Sequence, residues 1–181
     1  MSAVFRVIFR PEIIGKENIP KDSAAIIAGN HTDFFDCFMI ISATDRCVHF
    51  LAKNELFANS FTKRFFTSAG LIRVYRNGKD REALLQAEEY LKNGCLVGIF
   101  PQGTTSRNPH SPLPFKTGAV RMSQDTGAPV VPFTISGKYR IFRRSVQIVF
   151  HKPYTVTDSD LSKENRKLQA IVLDNTENQG E

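Results

Sequence analysis

Ala24-Ala25-Ile26-Ile27-Ala28-Gly29-Asn30-His31-Thr32-Asp33-Phe34-Phe35-Asp36 reads as a strand, a loop and the start of a helix. The continuous apolar run Ala24–Ala28 fits a strand covered on both faces. Apolar residues spaced from Phe34 through Phe38 to Ile41 fit a helix that begins near Asp33. Asp33 is an N-cap with Asp36 three residues on, an acidic version of the capping box. His31 therefore falls in a strand-to-helix loop, with Asp36 in the first helical turn and able to reach back to it. Inside one helix the same spacing would set the two residues ~140° apart. Two readings fit these residues alone. One is a general base with its orienting carboxylate; the other is a solvated histidine beside a helix cap.

Outward from this stretch, strand-like and helix-like runs alternate. Strands are predicted at Val4–Phe9, Ala24–Ala28, Val48–Ala52, Leu71–Tyr75, Cys95–Phe100, Pro129–Thr134 and Val146–Phe150. Helices are predicted at Phe34–Ser42, Glu55–Ser68, Arg81–Lys92, Thr117–Thr126 and Leu161–Leu173. Such alternation predicts an α/β fold: a single-domain sandwich with a mixed, largely parallel central sheet flanked by helices. The 181 residues hold no repeat and no long linker, so one domain over residues 1–181 is expected, with a frayed polar tail at 174–181.

The three cysteines, Cys37, Cys47 and Cys95, are scattered with no metal-ligand spacing, which points to free thiols in a reducing compartment and to no bound metal. Cys37 lies in an apolar helix and reads as a buried, inert thiol. Met1–Arg6 is no signal peptide, and no uncharged apolar stretch approaches the ~18–20 residues that span a bilayer. The formal net charge of +6 suits phosphate-bearing partners. Its basic residues are interleaved with the 15 phenylalanines, as in Phe61-Thr62-Lys63-Arg64-Phe65-Phe66 and Ile141-Phe142-Arg143-Arg144. Without a nucleic-acid motif this mixture suits an anionic membrane surface and no nucleic acid. In a helix, Phe57, Phe61 and Phe65 would share one side, flanked by Lys63 and Arg64.

Three further segments carry chemistry. Phe100-Pro101-Gln102-Gly103-Thr104-Thr105-Ser106-Arg107 follows an apolar strand and is a tight loop able to present N–H groups to a phosphate or an oxyanion. Arg76 leaves the strand of Gly70-Leu71-Ile72-Arg73-Val74-Tyr75, and Lys53 ends the strand before it. Each is either a phosphate ligand or a solvated surface cation. Val130-Val131-Pro132 closes another strand.

Taken in order, these segments resemble the glycerolipid acyltransferases. Asn30-His31 with Asp36 is similar to their NHxxxxD signature. Gly70, Ile72, Val74 and Arg76 resemble the second block, Phe100-Pro101-Gln102-Gly103-Thr104 the third, and Pro129-Val130-Val131-Pro132 the fourth. Phe115-Lys116-Thr117-Gly118-Ala119 and the lead-in Gly15–Pro20 fit as well. The resemblance implies that His31 is a general base oriented by Asp36. It implies that an acceptor hydroxyl attacks an acyl thioester on coenzyme A or acyl carrier protein, with no cofactor. Lys53, Arg76, Gln102, Gly103, Thr104 and Arg107 are then expected to bind substrate. The implied acceptor is a phosphorylated glycerolipid precursor, foremost 1-acyl-glycerol-3-phosphate. Glycerol-3-phosphate, another lysophospholipid, or a non-catalytic lipid-phosphate-binding role are the alternatives. The implied location is cytoplasmic, peripheral on the inner face of the cell membrane.

Three positions depart from the pattern: Asp33 for the usual Ser, Gln102 for the usual Glu, and Thr105 for a common Arg. Asp and Ser both cap helices. The amide at 102 keeps shape and hydrogen bonding without the charge.

Overall fold

The computed structural model describes residues 2–75, 80–105 and 113–177. Seven strands form one sheet: β1 (Glu12–Ile14), β2 (Ala25–Gly29), β3 (Val48–Lys53), β4 (Ile72–Val74), β5 (Leu96–Ile99), β6 (Val130–Gly137) and β7 (Val146–Phe150). Their order is β1-β7-β6-β2-β5-β3-β4. Strands β2 to β6 are mutually parallel, β7 runs antiparallel to β6, and β1 is parallel to β7. The sheet is mixed and mostly parallel, as the alternation predicts.

Among the described residues six α-helices accompany it: α1 (Ser2–Phe9), α2 (Asp36–Ser42), α3 (Ser60–Ser68), α4 (Asp80–Lys92), α5 (Gly118–Thr126) and α6 (Leu161–Glu177). The central strand β2 is buried along its whole length, which requires cover on both faces. Ile26 and Ala28 face one layer, with Ala87 of α4, Val120 of α5 and Leu168 of α6. Ala25 and Ile27 face the other, with Phe9 of α1 and Met39 and Ile40 of α2. Each fully buried aliphatic side chain contributes about 1.5–3 kcal/mol, so these layers dominate stability.

The structure departs from the sequence reading in four places. Val4–Phe9 is part of helix α1, not a strand. Its β-branched and aromatic residues suit a strand locally, but Phe9 packs on Phe35 and Tyr139 at ring distances of 5.1 and 5.3 Å while Val7 stays exposed. Tertiary packing overrides the local preference. The short edge strand β1 lies where none was expected. The helix predicted over 55–68 is broken: a 3₁₀ turn covers Asn54–Phe57, and Asn59 then caps α3 by accepting the Thr62 N–H at 2.8 Å. Phe57 is consequently buried, Phe61 exposed and Phe65 half-buried, so the three do not form one stripe. α6 continues through Glu177, into the segment expected to be a polar tail at 174–181; 178–181 lie outside the described residues. Among the described residues no helix is long and apolar enough to cross a membrane.

Candidate active site

Because β2 to β6 are parallel, their C-terminal ends share one edge of the sheet, and this edge carries the site. His31 follows β2, Lys53 ends β3, and the Pro101–Thr105 loop follows β5. Two devices hold the β2 exit in place. Gly29 lies so close to β6 that a Cβ there would sit 2.1 Å from the Phe133 carbonyl oxygen. Asn30, buried, donates to the Ile135 carbonyl and accepts the Ile135 N–H, both at 2.7 Å. The asparagine beside His31 thus ties the loop to β6.

His31 Nδ1 lies 2.9 Å from Asp36 Oδ2. That same oxygen accepts the backbone N–H groups of Thr32 and Asp33 at 2.6 and 2.8 Å. An oxygen receiving two N–H groups is an acceptor, so Nδ1 carries the proton and donates. The lone pair then resides on Nε2, the tautomer a general base requires. Asp33 Oδ1 accepts the Phe35 N–H at 3.1 Å in a local turn, but α2 starts at Asp36 with Phe35 as its N-cap and no side-chain cap, so Asp33 is not the helix cap that the sequence suggests. Asp36 is fully buried, whereas the His31 side chain keeps 20% exposure.

Oδ1 of Asp36 accepts the Thr32 hydroxyl at 3.1 Å and the Tyr139 hydroxyl at 2.7 Å. Five donors therefore converge on the buried carboxyl group, and its hydrogen bonds are made. Burial, followed by the charge and hydrogen bond of Asp36, pushes the Tyr139 phenol far above its ordinary value, so it remains a donor. Sequence reasoning missed Tyr139, which stands alone in the β6–β7 loop with no motif around it. It also missed Phe100 as a platform: this ring stacks on the His31 imidazole with centroids 4.0 Å apart.

Gln102 is buried, and its Oε1 accepts the His31 backbone N–H at 2.9 Å. The structure thus gives it a positioning contact to the His31 loop. Gly103 adopts φ 70°, a left-handed conformation suited to glycine, and closes the turn by donating its N–H to Phe100 O. Thr104 is half-buried beside it.

His31 opens into a cavity of about 690 Å³. Its walls are chiefly apolar, including Phe38, Ile41, Phe50, Leu71 and Ile99, and Lys53, Gly103, Thr105, Lys116 and Arg121 also line it. Among the described residues no carboxylate lines it. Lys116, not singled out as a ligand by sequence reading, lies beside Gly103: a Cβ on that glycine would be 3.4 Å from its ammonium. Cys37 also lines the cavity and is half-buried rather than buried as the sequence suggests; its thiol is pushed up to about 12, first by desolvation and then by the Asp36 charge. Arg76 and Arg107 lie outside the described residues.

A family model named Acyltransferase matches residues 10–136. The chain is 30% identical to the 1-acyl-sn-glycerol-3-phosphate acyltransferase of Bacillus subtilis, covering 89% of this chain and 82% of that protein. It is 30% identical to the enzyme of that name from Borreliella burgdorferi, over 90% of this chain and 68% of the other. The crystal structure of the 1-acyl-sn-glycerophosphate acyltransferase of Thermotoga maritima superposes with a TM-score of 0.77 at 26% identity, covering 93% of this chain and 71% of that one.

Proposed function

The chain belongs to the acyltransferase family, and on that premise we propose that it acylates 1-acyl-glycerol-3-phosphate from an acyl thioester to give phosphatidate. The observation that carries this reading is the His31–Asp36 pair, with Nε2 free of Asp36, at the mouth of an apolar cavity lined by Lys53, Lys116 and Arg121. His31 Nε2 takes the proton of the acceptor hydroxyl as that oxygen attacks the thioester carbonyl. The tetrahedral intermediate collapses, the carbon–sulfur bond breaks, and the imidazolium returns the proton to the departing thiolate. An ester and a free thiol result, with no covalent enzyme intermediate. The fatty chain occupies the apolar cavity. Lys53 and Lys116 hold the acceptor phosphate together with the turn at Gly103 and Thr104, and family resemblance adds Arg76 and Arg107 to them. The donor is acyl-coenzyme A or acyl carrier protein, no cofactor takes part, and the enzyme works peripherally on the inner face of the cell membrane.

Release of free thiol from an acyl thioester, with and without lysophosphatidate, tests the reading. Transfer should require the acceptor, and His31→Ala should reduce it on the order of 10²-fold or more while the fold persists. Near-normal turnover in His31→Ala would sink the assignment.

A further inference from the structure

We propose that the β6–β7 loop and the end of α1 form the face by which this protein docks on an anionic phospholipid bilayer; this rests on the lipid-acceptor reading above. The loop, residues 138–145, leaves β6 at the same sheet edge as His31. β7 returns antiparallel from that edge, and β1, parallel to β7, also starts there. The residues joining α1 to β1 are therefore at this edge, and the Phe142 N–H donates to Ile8 O at 2.6 Å. Tyr139, in the same loop, donates to Asp36. One loop thus touches both the His31–Asp36 pair and this outer face.

The face has the composition of a membrane surface. Ile141 is 64% exposed, Phe142 and Val7 67% each. Arg6, Arg10, Arg140, Arg143 and Arg144 are exposed around them. Among the described residues none of these five forms an ion pair. Among the described residues the single carboxylate in the shallow concavity between α1 and the loop is Glu12, whose Oε2 accepts from Gln147. The exposure of the apolar pair is built in. Lys138 N and Ser145 Oγ close the base of the loop with hydrogen bonds to Ser145 O and Lys138 O at 2.9 and 2.7 Å. Phe142 is held at φ 58°, an uncommon conformation for an aromatic residue that persists where surrounding contacts enforce it. The charges alone would also suit an acidic protein. Two large apolar side chains at a loop tip favour a bilayer, where basic residues meet headgroups and apolar ones enter the acyl boundary. Each basic residue near an anionic leaflet multiplies partitioning about fivefold (~1 kcal/mol).

Co-sedimentation of the full chain with phosphatidylcholine vesicles containing or lacking phosphatidylglycerol tests this. Arg143→Glu/Arg144→Glu should lower binding to the anionic vesicles at least tenfold, most strongly at low salt. Ile141→Ser/Phe142→Ser should lower it at low and high salt alike. Lys63→Glu/Arg64→Glu in α3 should bind like the parent. Circular dichroism checks that each variant is folded, and thiol release from short-chain, water-soluble substrates should match the parent in all three. If both loop variants fold and bind vesicles like the parent, the proposal is wrong. If only charge reversal weakens binding, the face suits an acidic protein and the bilayer proposal again fails. If the parent shows no transfer while vesicle binding still depends on the loop, the docking face stands and the acyltransferase reading falls.

Discussion

Tyr139 and Asp36, 103 positions apart in sequence, meet through a 2.7 Å hydrogen bond from the phenol to Oδ1. The bond fills the side of the carboxyl group away from His31 and joins the β6–β7 loop to the His31–Asp36 pair. Tyr139→Phe should leave the acceptor KM unchanged and lower kcat on the order of tenfold, equivalent to ~1.4 kcal/mol of lost positioning. The lost bond to a buried carboxylate should also cost about 1.5–3 kcal/mol of stability, read by denaturant unfolding. Parent-like kcat in a folded variant would restrict Tyr139 to packing.

Asp36→Asn should be more severe than removing Tyr139. Oδ2 takes three donors and Oδ1 two, and an asparagine presents N–H groups where one set of donors already points. A buried donor left unsatisfied costs about 1–3 kcal/mol. Loss of the oriented tautomer should reduce kcat by ~10²–10⁴-fold. Steady-state kinetics beside thermal unfolding would separate the two effects.

Gln102 differs from a phosphate ligand in what its loss should change. Gln102→Leu removes the acceptor for the His31 N–H, so kcat should fall while the acceptor KM stays near the parent value. Gln102→Glu keeps an acceptor oxygen there and should retain most of the activity. A rise confined to acceptor KM in Gln102→Leu would return the residue to substrate binding.

Lys116→Ala should show the opposite split. A charge-assisted contact to phosphate is worth ~1.5–3 kcal/mol, or roughly 10–150-fold in the acceptor's kcat/KM. Donor KM should not move. An unchanged acceptor dependence would leave Lys116 as a wall of the cavity.

Cys37 predicts an alkaline weakness. In the folded chain its thiol is held up at about 12 from 9.0, mainly by burial, so the native state keeps a proton that the unfolded chain has lost. Below 9 both states are protonated and the shift has no effect. Stability should therefore fall as pH rises from about 9 toward 12. Cys37→Ala should flatten that slope in unfolding experiments. At pH 8 iodoacetamide should modify exposed Cys47 and spare Cys37 until the protein unfolds.

The α/β class, six of the seven strands and the His31–Asp36 pair were legible in the sequence because each rests on local signals. The run Ala24–Ala28 is apolar enough to need cover on both faces, and the loop after it places an imidazole within one turn of a capping carboxylate. Where local and tertiary preferences disagree, the tertiary structure decided. Val4–Phe9 favours a strand by composition, yet it is helical where Phe9 packs against Phe35 and Tyr139. The Phe57, Phe61 and Phe65 spacing suggests one stripe, yet the Asn59 cap divides it. Contacts between distant segments leave no local pattern at all. Tyr139 reaches Asp36, and Gln102 reaches His31 N–H, because parallel strands bring the ends of β2, β5 and β6 to one edge. Residue types along the chain state which groups are available; the register of the sheet states which of them meet.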